Sequence, residues 1–87
     1  MKIAVWDIHA IKKDGSIIHF EIIVPADVKS ITTIFNYCTK FFITKGMGKE
    51  PLSSVEYKIH HREAATTKIM SVIKEKGYCI IEKEGCN

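Results

Sequence analysis

The chain has 87 residues, of which 46% are hydrophobic and 26% charged, and its formal net charge is +3. This length allows one domain with a small core, and the composition is that of an ordinary globular protein, which excludes a disordered or coiled-coil chain. The apolar runs are far shorter than the ~20 residues needed to cross a bilayer, and the first residues lack the apolar segment of a signal peptide. We therefore expect one cytoplasmic domain spanning residues 1–87, with no membrane partner.

The cysteines and basic residues exclude several further classes. Cys38, Cys79 and Cys86 form no Cys-x-x-Cys pair, so neither a disulfide framework nor a four-thiol zinc site is expected, and we predict reduced thiols. Arg62 is the only arginine, and the lysines are spread along the chain. This distribution is typical of a solvated surface, and we expect no nucleic-acid partner.

Alternating apolar and polar residues predict a β-hairpin from residues 2–11 and 16–24. A two-residue loop would mix apolar and polar side chains on each face of this hairpin. A three-residue loop over residues 13–15, with a left-handed glycine at its end, pairs Trp6 with Ile22 and keeps the faces distinct. One face is then a purely apolar core face of Ala4, Trp6, Ile8, Ala10, Ile18, Phe20, Ile22 and Val24.

A helix, a strand, a second helix and a last strand follow the hairpin. Pro25 ends the second strand, Asp27 can cap the first helix, and apolar residues at helical spacing continue to Gly46. The later elements are predicted at 55–60 (strand), 64–76 (helix, ended by Gly77) and 78–83 (strand). The predicted order is ββαβαβ.

The two strand-helix-strand steps predict the sheet. Each step implies a parallel neighbour and a right-handed crossover, so we expect a four-stranded mixed sheet with both helices on one face, in the α/β (α+β) class. The other face would be left partly open, and it carries five aliphatic residues, Ile3, Val5, Ile11, Ile17 and Ile23. So much exposed apolar surface predicts a homodimer, or another protein partner, through this open sheet face.

The sequence resembles a family of short bacterial proteins grouped as DUF2024, a domain of unknown function. The resemblance covers essentially the whole chain and is carried by five short motifs, Trp6-Asp7, Asp14-Gly15, His19-Phe20-Glu21, Gly77-Tyr78 and Glu84-Gly85-Cys86-Asn87. It implies an α/β fold of this length and brings no established activity, substrate or cofactor. Some members have Cys-x-x-Cys-His where this chain has Tyr57 to His61, so His61 matches and both thiols are replaced.

The first candidate site lies at a sheet edge and comprises His60, His61, Arg62 and Cys86. If the later strands are parallel, their carboxyl ends meet there beside two helix N-termini, which attract anions. These residues could bind a small phosphate or carboxylate, or a divalent metal, and Cys86 with a histidine base could act as a nucleophile. The alternative is that His60, His61 and Arg62 are ordinary strand and helix-start residues and that Cys86 is inert.

The second candidate site follows from the hairpin register. The three-residue loop pairs Asp7 with Glu21 and His9 with His19 on the non-core face, which gives two carboxylates and two imidazoles as ligands for a divalent metal. The alternative is a solvated face with ordinary histidine–carboxylate contacts.

Three functions remain open from the sequence. The leading one is a non-enzymatic binding or protein-interaction module that self-associates. The second is a protein that binds a small anion or a divalent metal, and the third is a minor enzyme that uses Cys86 and a histidine. We expect no cofactor, because no nucleotide-binding or phosphate-loop motif is present.

Overall fold

The computed structural model describes residues 2–46, 52–62 and 66–86. The chain forms a small α+β domain, and the predicted ββαβαβ order is confirmed. The elements are β1 (Ile3–Lys12), β2 (Ile17–Pro25), α1 (Ile31–Thr44), β3 (Leu52–Arg62), α2 (Thr67–Lys76) and β4 (Cys79–Glu84). Neither α1 nor α2, the helices of the described ranges, is long and apolar enough to span a bilayer.

The β1–β2 hairpin has the predicted three-residue loop. The Lys12 N–H donates to the Ser16 carbonyl at 2.9 Å, and the Gly15 N–H donates to the Lys12 carbonyl at 2.9 Å. Gly15 has φ +88°, the left-handed conformation that glycine adopts without strain. The Asp14 carboxylate accepts hydrogen bonds from the Ser16 hydroxyl and N–H, which lower the pKa of Asp14. The loop therefore fixes the predicted register, in which Trp6 pairs with Ile22.

Helix α1 begins later than predicted. Ser30 is its N-cap, and the Ser30 hydroxyl accepts a hydrogen bond from the Thr33 N–H at 3.3 Å. The prediction that Asp27 caps this helix is wrong, because Asp27 lies in the turn that follows β2. A serine directly before the first helical residue satisfies an N–H group that Asp27 is too early in the chain to reach.

Helix α2 has both a cap and a stop signal. The Thr66 hydroxyl accepts from the Ile69 N–H at 3.2 Å, and Gly77 closes the helix with φ +90° and an N–H bond of 2.7 Å to the Ile73 carbonyl. The predicted stop at Gly77 is confirmed. The predicted start at residue 64 lies outside the described residues.

The sheet is antiparallel throughout, in the order β3-β1-β2-β4. The prediction of a mixed sheet in which β2, β3 and β4 are parallel neighbours is therefore wrong. Strands β2 and β3 do run in the same direction, but β1 lies between them, and β4 runs the opposite way. The crossover rule fixes the hand of a connection and not the number of strands that it crosses. Strand β1, apolar on both faces over residues 3–6, occupies the centre because a central strand is covered on both sides.

The two helices lie on opposite faces of the sheet. The predicted core face is buried together with three residues of α1, namely Ile34, Cys38 and Phe41. On the other face, Ile3, Val5 and Ile23 cluster with Ile73 of α2 and with Cys79. The prediction that both helices share one face is therefore wrong. The second face is partly open, but Ile3, Val5 and Ile23, which were expected to be exposed on it, are only 2%, 1% and 4% exposed.

Strand β3 is an edge strand that the helices leave half uncovered. Val55, Tyr57 and Ile59 pair with Ala10, Ile8 and Trp6 of β1, so they lie on the α1 face. Their exposure is 39%, 42% and 43%, because α1 packs over the centre of the sheet. Tyr57 contacts Trp6 and Phe35, with ring centroids at 5.4 and 6.0 Å.

Candidate functional site

The face that carries α2 has a polar half next to its apolar half. Asp7 and His9 of β1 lie directly opposite Glu21 and His19 of β2, as the hairpin register predicts. We call these four residues the hairpin cluster. All four are partly buried, so solvent still reaches them.

The side chains of the hairpin cluster are in direct contact. The His19 Nε2–H donates a hydrogen bond to Oδ1 of Asp7 across the strands. The rings of His9 and His19 are stacked, with centroids 4.0 Å apart and an interplanar angle of 14°. One potential ligand atom from each of Asp7, His9 and His19 lies within 4.8 Å of the other two. Two strands of one rigid hairpin thus bring two imidazoles and a carboxylate together.

Charged residues of the edge strands surround the hairpin cluster. In β3, Glu56 pairs with His9 and Lys58 pairs with Asp7. In β4, the Lys83 ammonium lies 3.7 Å from Oε1 of Glu21. Glu56 and Lys58 are not predictable as neighbours of the cluster, because their position depends on the pairing of β3 with β1, for which the sequence has no local signal.

The predicted edge site is divided by the topology. His60, His61 and the backbone of Arg62 pair with Val5, Ala4 and Ile3, near the start of β1. Strand β4 ends opposite His19, so Cys86 lies at the other end of the sheet. The prediction that these four residues meet at one edge is wrong, because β4 runs antiparallel to β2. His60 and His61 also lie on opposite faces, as expected of adjacent strand residues.

The three thiols are buried. Cys86 is 3% exposed, and its Sγ lies 3.4 Å from the carbonyl oxygens of His19 and Glu84, between which its single S–H is shared. Burial raises the pKa of Cys38 to about 12, and it also raises the pKa of Cys79, partly offset by Lys68 and Lys76. A nucleophilic thiol is exposed and has a lowered pKa, whereas all three thiols are buried and the pKa values of Cys38 and Cys79 are raised.

Two concave regions lie away from the hairpin cluster. An open groove of about 680 Å³ follows β4 between the helices. Lys45 and Glu82 line this groove and form an ion pair, with 2.5 Å between Nζ and Oε1. A smaller cavity of about 330 Å³ lies on the α1 face, and it contains His61 of the predicted edge site together with Trp6. His61 therefore keeps a place in a concave site, but without Cys86.

The protein is thus a small α+β domain with an antiparallel sheet, and the polar hairpin cluster lies on its first two strands. The family model "Domain of unknown function (DUF2024)" matches residues 1–83, so the chain belongs to this family and the predicted resemblance is confirmed.

One solved structure has the same fold, and its name states no activity. The NMR structure of protein NE1680 from Nitrosomonas europaea, a Northeast Structural Genomics Consortium target, is 27% identical, with a TM-score of 0.76 and full coverage of both chains. No curated protein matches the chain.

Proposed function

We propose that this protein is a binding domain for a divalent transition-metal ion, held by Asp7, His9 and His19. The observation that carries the proposal is the approach of the three ligand atoms to within 4.8 Å of one another. Imidazole nitrogen and carboxylate oxygen together are the usual ligands of zinc, copper, nickel and non-haem iron.

The cluster fits such an ion after small side-chain movements. Ligand atoms around one tetrahedral zinc are about 3.3 Å apart, given bonds of about 2.0–2.1 Å. The hydrogen bond between His19 and Asp7 must therefore be exchanged for two metal bonds. Glu21 and Glu56 neighbour Asp7 and His9 across the strands and offer further carboxylate oxygens. Three ligands on one partly exposed face leave coordination positions open to water or to another ligand.

Cobalt(II) titration of the untagged protein tests the metal site. We expect visible ligand-field bands that saturate at one ion per chain and are displaced by zinc. His9→Gln and His19→Gln should each weaken binding by at least about tenfold, since each removes a metal–ligand bond. The matched control is His60→Gln, which removes a histidine on the same face but outside the cluster. Absence of the bands in the unmodified protein, or equal weakening by the control, would refute the site.

A specific observation on β3 favours self-association as a second function. Helix α2 covers Ile3, Val5 and Ile23 of the predicted dimer surface. The proposed homodimer contact lies instead along the edge of β3, with which no described strand pairs. Val55, Tyr57 and Ile59 form an exposed apolar row on one face of this strand, and Glu56 and Lys58 lie on the other. An unpaired edge strand with an apolar row is suited to pairing with another strand.

Charge complementarity selects a second copy of the chain as the partner. Antiparallel pairing of β3 with its copy about Tyr57 places each Glu56 opposite the other chain's Lys58 and each Val55 opposite Ile59. A shift of the centre by one residue in either direction places Glu56 against Glu56 or Lys58 against Lys58, which is unfavourable. The strand is therefore self-complementary in the register centred on Tyr57, as a two-fold interface requires.

Charge reversal tests this dimer. Light scattering should give twice the chain mass of 9.9 kDa for the unmodified protein. Glu56→Lys or Lys58→Glu alone should yield monomers, and the double exchange should restore the dimer, because it recreates the opposite-charge pairs. Glu75→Lys, on the exposed surface of α2, is the control and should remain dimeric. A monomeric unmodified protein, or a double variant that stays monomeric while folded, would contradict the interface.

The two functions are compatible, because the apolar row and the hairpin cluster lie on opposite faces. A cytoplasmic location, with reduced thiols, stays a prediction. Catalysis by Cys86 is not proposed, since the thiol is buried and lies far along the sheet from His60 and His61.

A further inference from the structure

The outer edge of β4 is the second edge of the sheet. Strand β4 comes last in the order β3-β1-β2-β4, and among the described strands only β2 pairs with it. Every second residue of an edge strand directs its N–H and C=O groups away from the neighbouring strand. Strand β4 therefore presents a row of backbone donors and acceptors, and a further strand is the partner that satisfies such a row along its length.

The 680 Å³ groove lies along this edge. Its lining includes the five consecutive residues from Tyr78 to Glu82 together with residues of both helices. Consecutive strand residues point to opposite faces of the sheet, and α1 and α2 cover opposite faces. A groove with both sets of residues in its lining must therefore follow the edge, with β4 as its floor and one helix on each side.

The two walls of the groove are basic. Four lysines line it, Lys40 and Lys45 at the end of α1 and Lys68 and Lys76 in α2, and Glu82 is the one acidic residue among the described lining residues. Glu82 is already paired with Lys45, and no described carboxylate pairs with the other three lysines. The groove is thus complementary to a ligand that carries several negative charges.

Lys68 and Lys76 are spaced for an extended ligand. They lie at the two ends of α2, about 12 Å apart along the helix axis. Residues four apart in a strand point to the same face and are separated by about 13 Å. Both ammonium groups act at the start of β4, because they partly offset the rise that burial causes in the pKa of Cys79. Two carboxylates on one face of an added strand match this spacing.

We propose that the groove binds an extended, acidic peptide segment of another protein, which adds to the sheet beside β4. The peptide backbone pairs with the edge, its carboxylates meet Lys68 and Lys76, and its alternate side chains pack against Phe41 on the α1 side. A small anion would satisfy only part of the backbone row. A second copy of this chain would bring the lysines of two grooves together, which is unfavourable. The site depends neither on the metal nor on the β3 contact.

Fluorescence anisotropy with a synthetic peptide tests the proposal. The probe is a fluorescein-labelled, C-terminally amidated octapeptide in which glutamate and valine alternate. We expect saturable binding that weakens as salt is added, because the charge pairs are partly exposed. The same peptide with lysine in place of glutamate, and a single-stranded oligothymidylate of equal charge, should each bind at least about tenfold more weakly.

N-methylation of the peptide tests the backbone pairing. One version carries N-methyl groups on the glutamates and the other on the valines, so that each blocks the amides on one edge of the added strand. Only one of these edges can pair with β4. One version should therefore bind at least about tenfold more weakly than the other.

Lysine variants locate the site on the groove. Lys68→Gln combined with Lys76→Gln should weaken binding about fivefold, as the loss of two exposed ion pairs implies. Lys13→Gln combined with Lys74→Gln removes the same charge at two residues outside the groove lining, and it should leave the affinity unchanged within about twofold. In ¹H–¹⁵N spectra the peptide should shift the backbone amides of β4 and not those of β3.

Several results would overturn the proposal. Absence of saturable binding would exclude the peptide site, and equal affinities of the two methylated peptides would exclude strand addition. Equal weakening by the two double variants, or equally tight binding of the oligothymidylate, would show that the protein attracts any anion. Amide shifts confined to β3 would place the peptide on the other edge of the sheet.

Discussion

The α2 face of the sheet consists of two halves that share the same strands but differ in burial and in the polarity of their side chains. In the covered half, Ile3, Val5 and Ile23 pack under Ile73 of α2 and are nearly inaccessible to solvent. In the open half, the hairpin cluster continues β1 and β2 beyond the helix and stays partly exposed. One half therefore contributes to the core, and the other presents ligand atoms.

The lengths of the elements explain the division. Helix α2 has 10 residues and is about 15 Å long, whereas the 10 residues of β1 extend about 33 Å. One short helix cannot cover the whole strand. The sequence changes from apolar to polar on this face at Asp7, and the uncovered part carries the four polar residues of the hairpin cluster before it ends at the Ile11–Ile17 pair. Stability and the proposed metal binding are thus assigned to different parts of one face.

The largest effect should come from a charge in the covered half. Val5→Asp places a carboxylate under α2 without a partner and should lower the free energy of unfolding by at least about 3 kcal/mol, measured by urea denaturation. His60→Asp, at the exposed β3 position paired with Val5, should change it by less than about 0.5 kcal/mol. Similar losses in the two variants would mean that α2 does not seal this half.

The second prediction concerns the C-terminal segment at Gly85, which packs closely against Ile17 of β2. A Cβ on Gly85 would lie 2.1 Å from the Ile17 carbonyl oxygen, and Gly85 has φ +68°. Gly85→Ala should destabilise the protein by about 2–3 kcal/mol, from strain and from displacement of the tail against β2. Gly46→Ala has a similar φ of +73°, and apart from its chain neighbours no atom of the described residues lies within 4 Å of the added Cβ, so it should cost only about 1 kcal/mol. Equal losses of stability in the two variants would mean that the backbone at Gly85 does not pack closely against β2.

Removal of the N-cap of α2 should destabilise this helix, which covers the apolar half of the face. Thr66→Ala loses the hydrogen bond to the Ile69 N–H and should cost about 1 kcal/mol. Burial holds the pKa of Cys79 above the 9.0 of an ordinary thiol, so less thiolate forms at pH 8 in the folded chain than in the unfolded chain. Alkylation of Cys79, read by peptide mass spectrometry, should therefore be slow in the native protein and faster in Thr66→Ala. Cys38, under α1, is the internal control, and equal acceleration at both thiols would indicate global unfolding instead.

The smallest effect on stability should come from the open half. His9→Gln removes one partly exposed ring and should change the metal-free free energy of unfolding by about 0.5 kcal/mol or less. We expect zinc to raise the melting temperature of the unmodified protein and not that of His9→Gln, because ligand-induced stabilisation follows binding affinity. A large loss of metal-free stability would show that the open half also belongs to the core.

Local sequence features determined the elements and the hairpin cluster. Alternation in β1 and β2 and the glycine of the loop fixed one register, because a slip of one residue would exchange the two faces. That register placed Asp7 opposite Glu21 and His9 opposite His19 before any tertiary contact was considered. The end of α2 at Gly77 was also predictable, because glycine readily adopts the left-handed conformation that ends a helix, and Gly77 has this conformation.

Tertiary structure alone decided the strand order, the sides of the helices and the neighbours of each site. Strand β3 pairs with β1 rather than β2, which brings Glu56 and Lys58 beside the cluster and separates Cys86 from His61. The apolar residues of β1 on both faces allowed a helix on each side, but no local pattern states which helix covers which face. Turns and registers are set by residues adjacent in the chain, whereas strand order depends on burial summed over the whole domain.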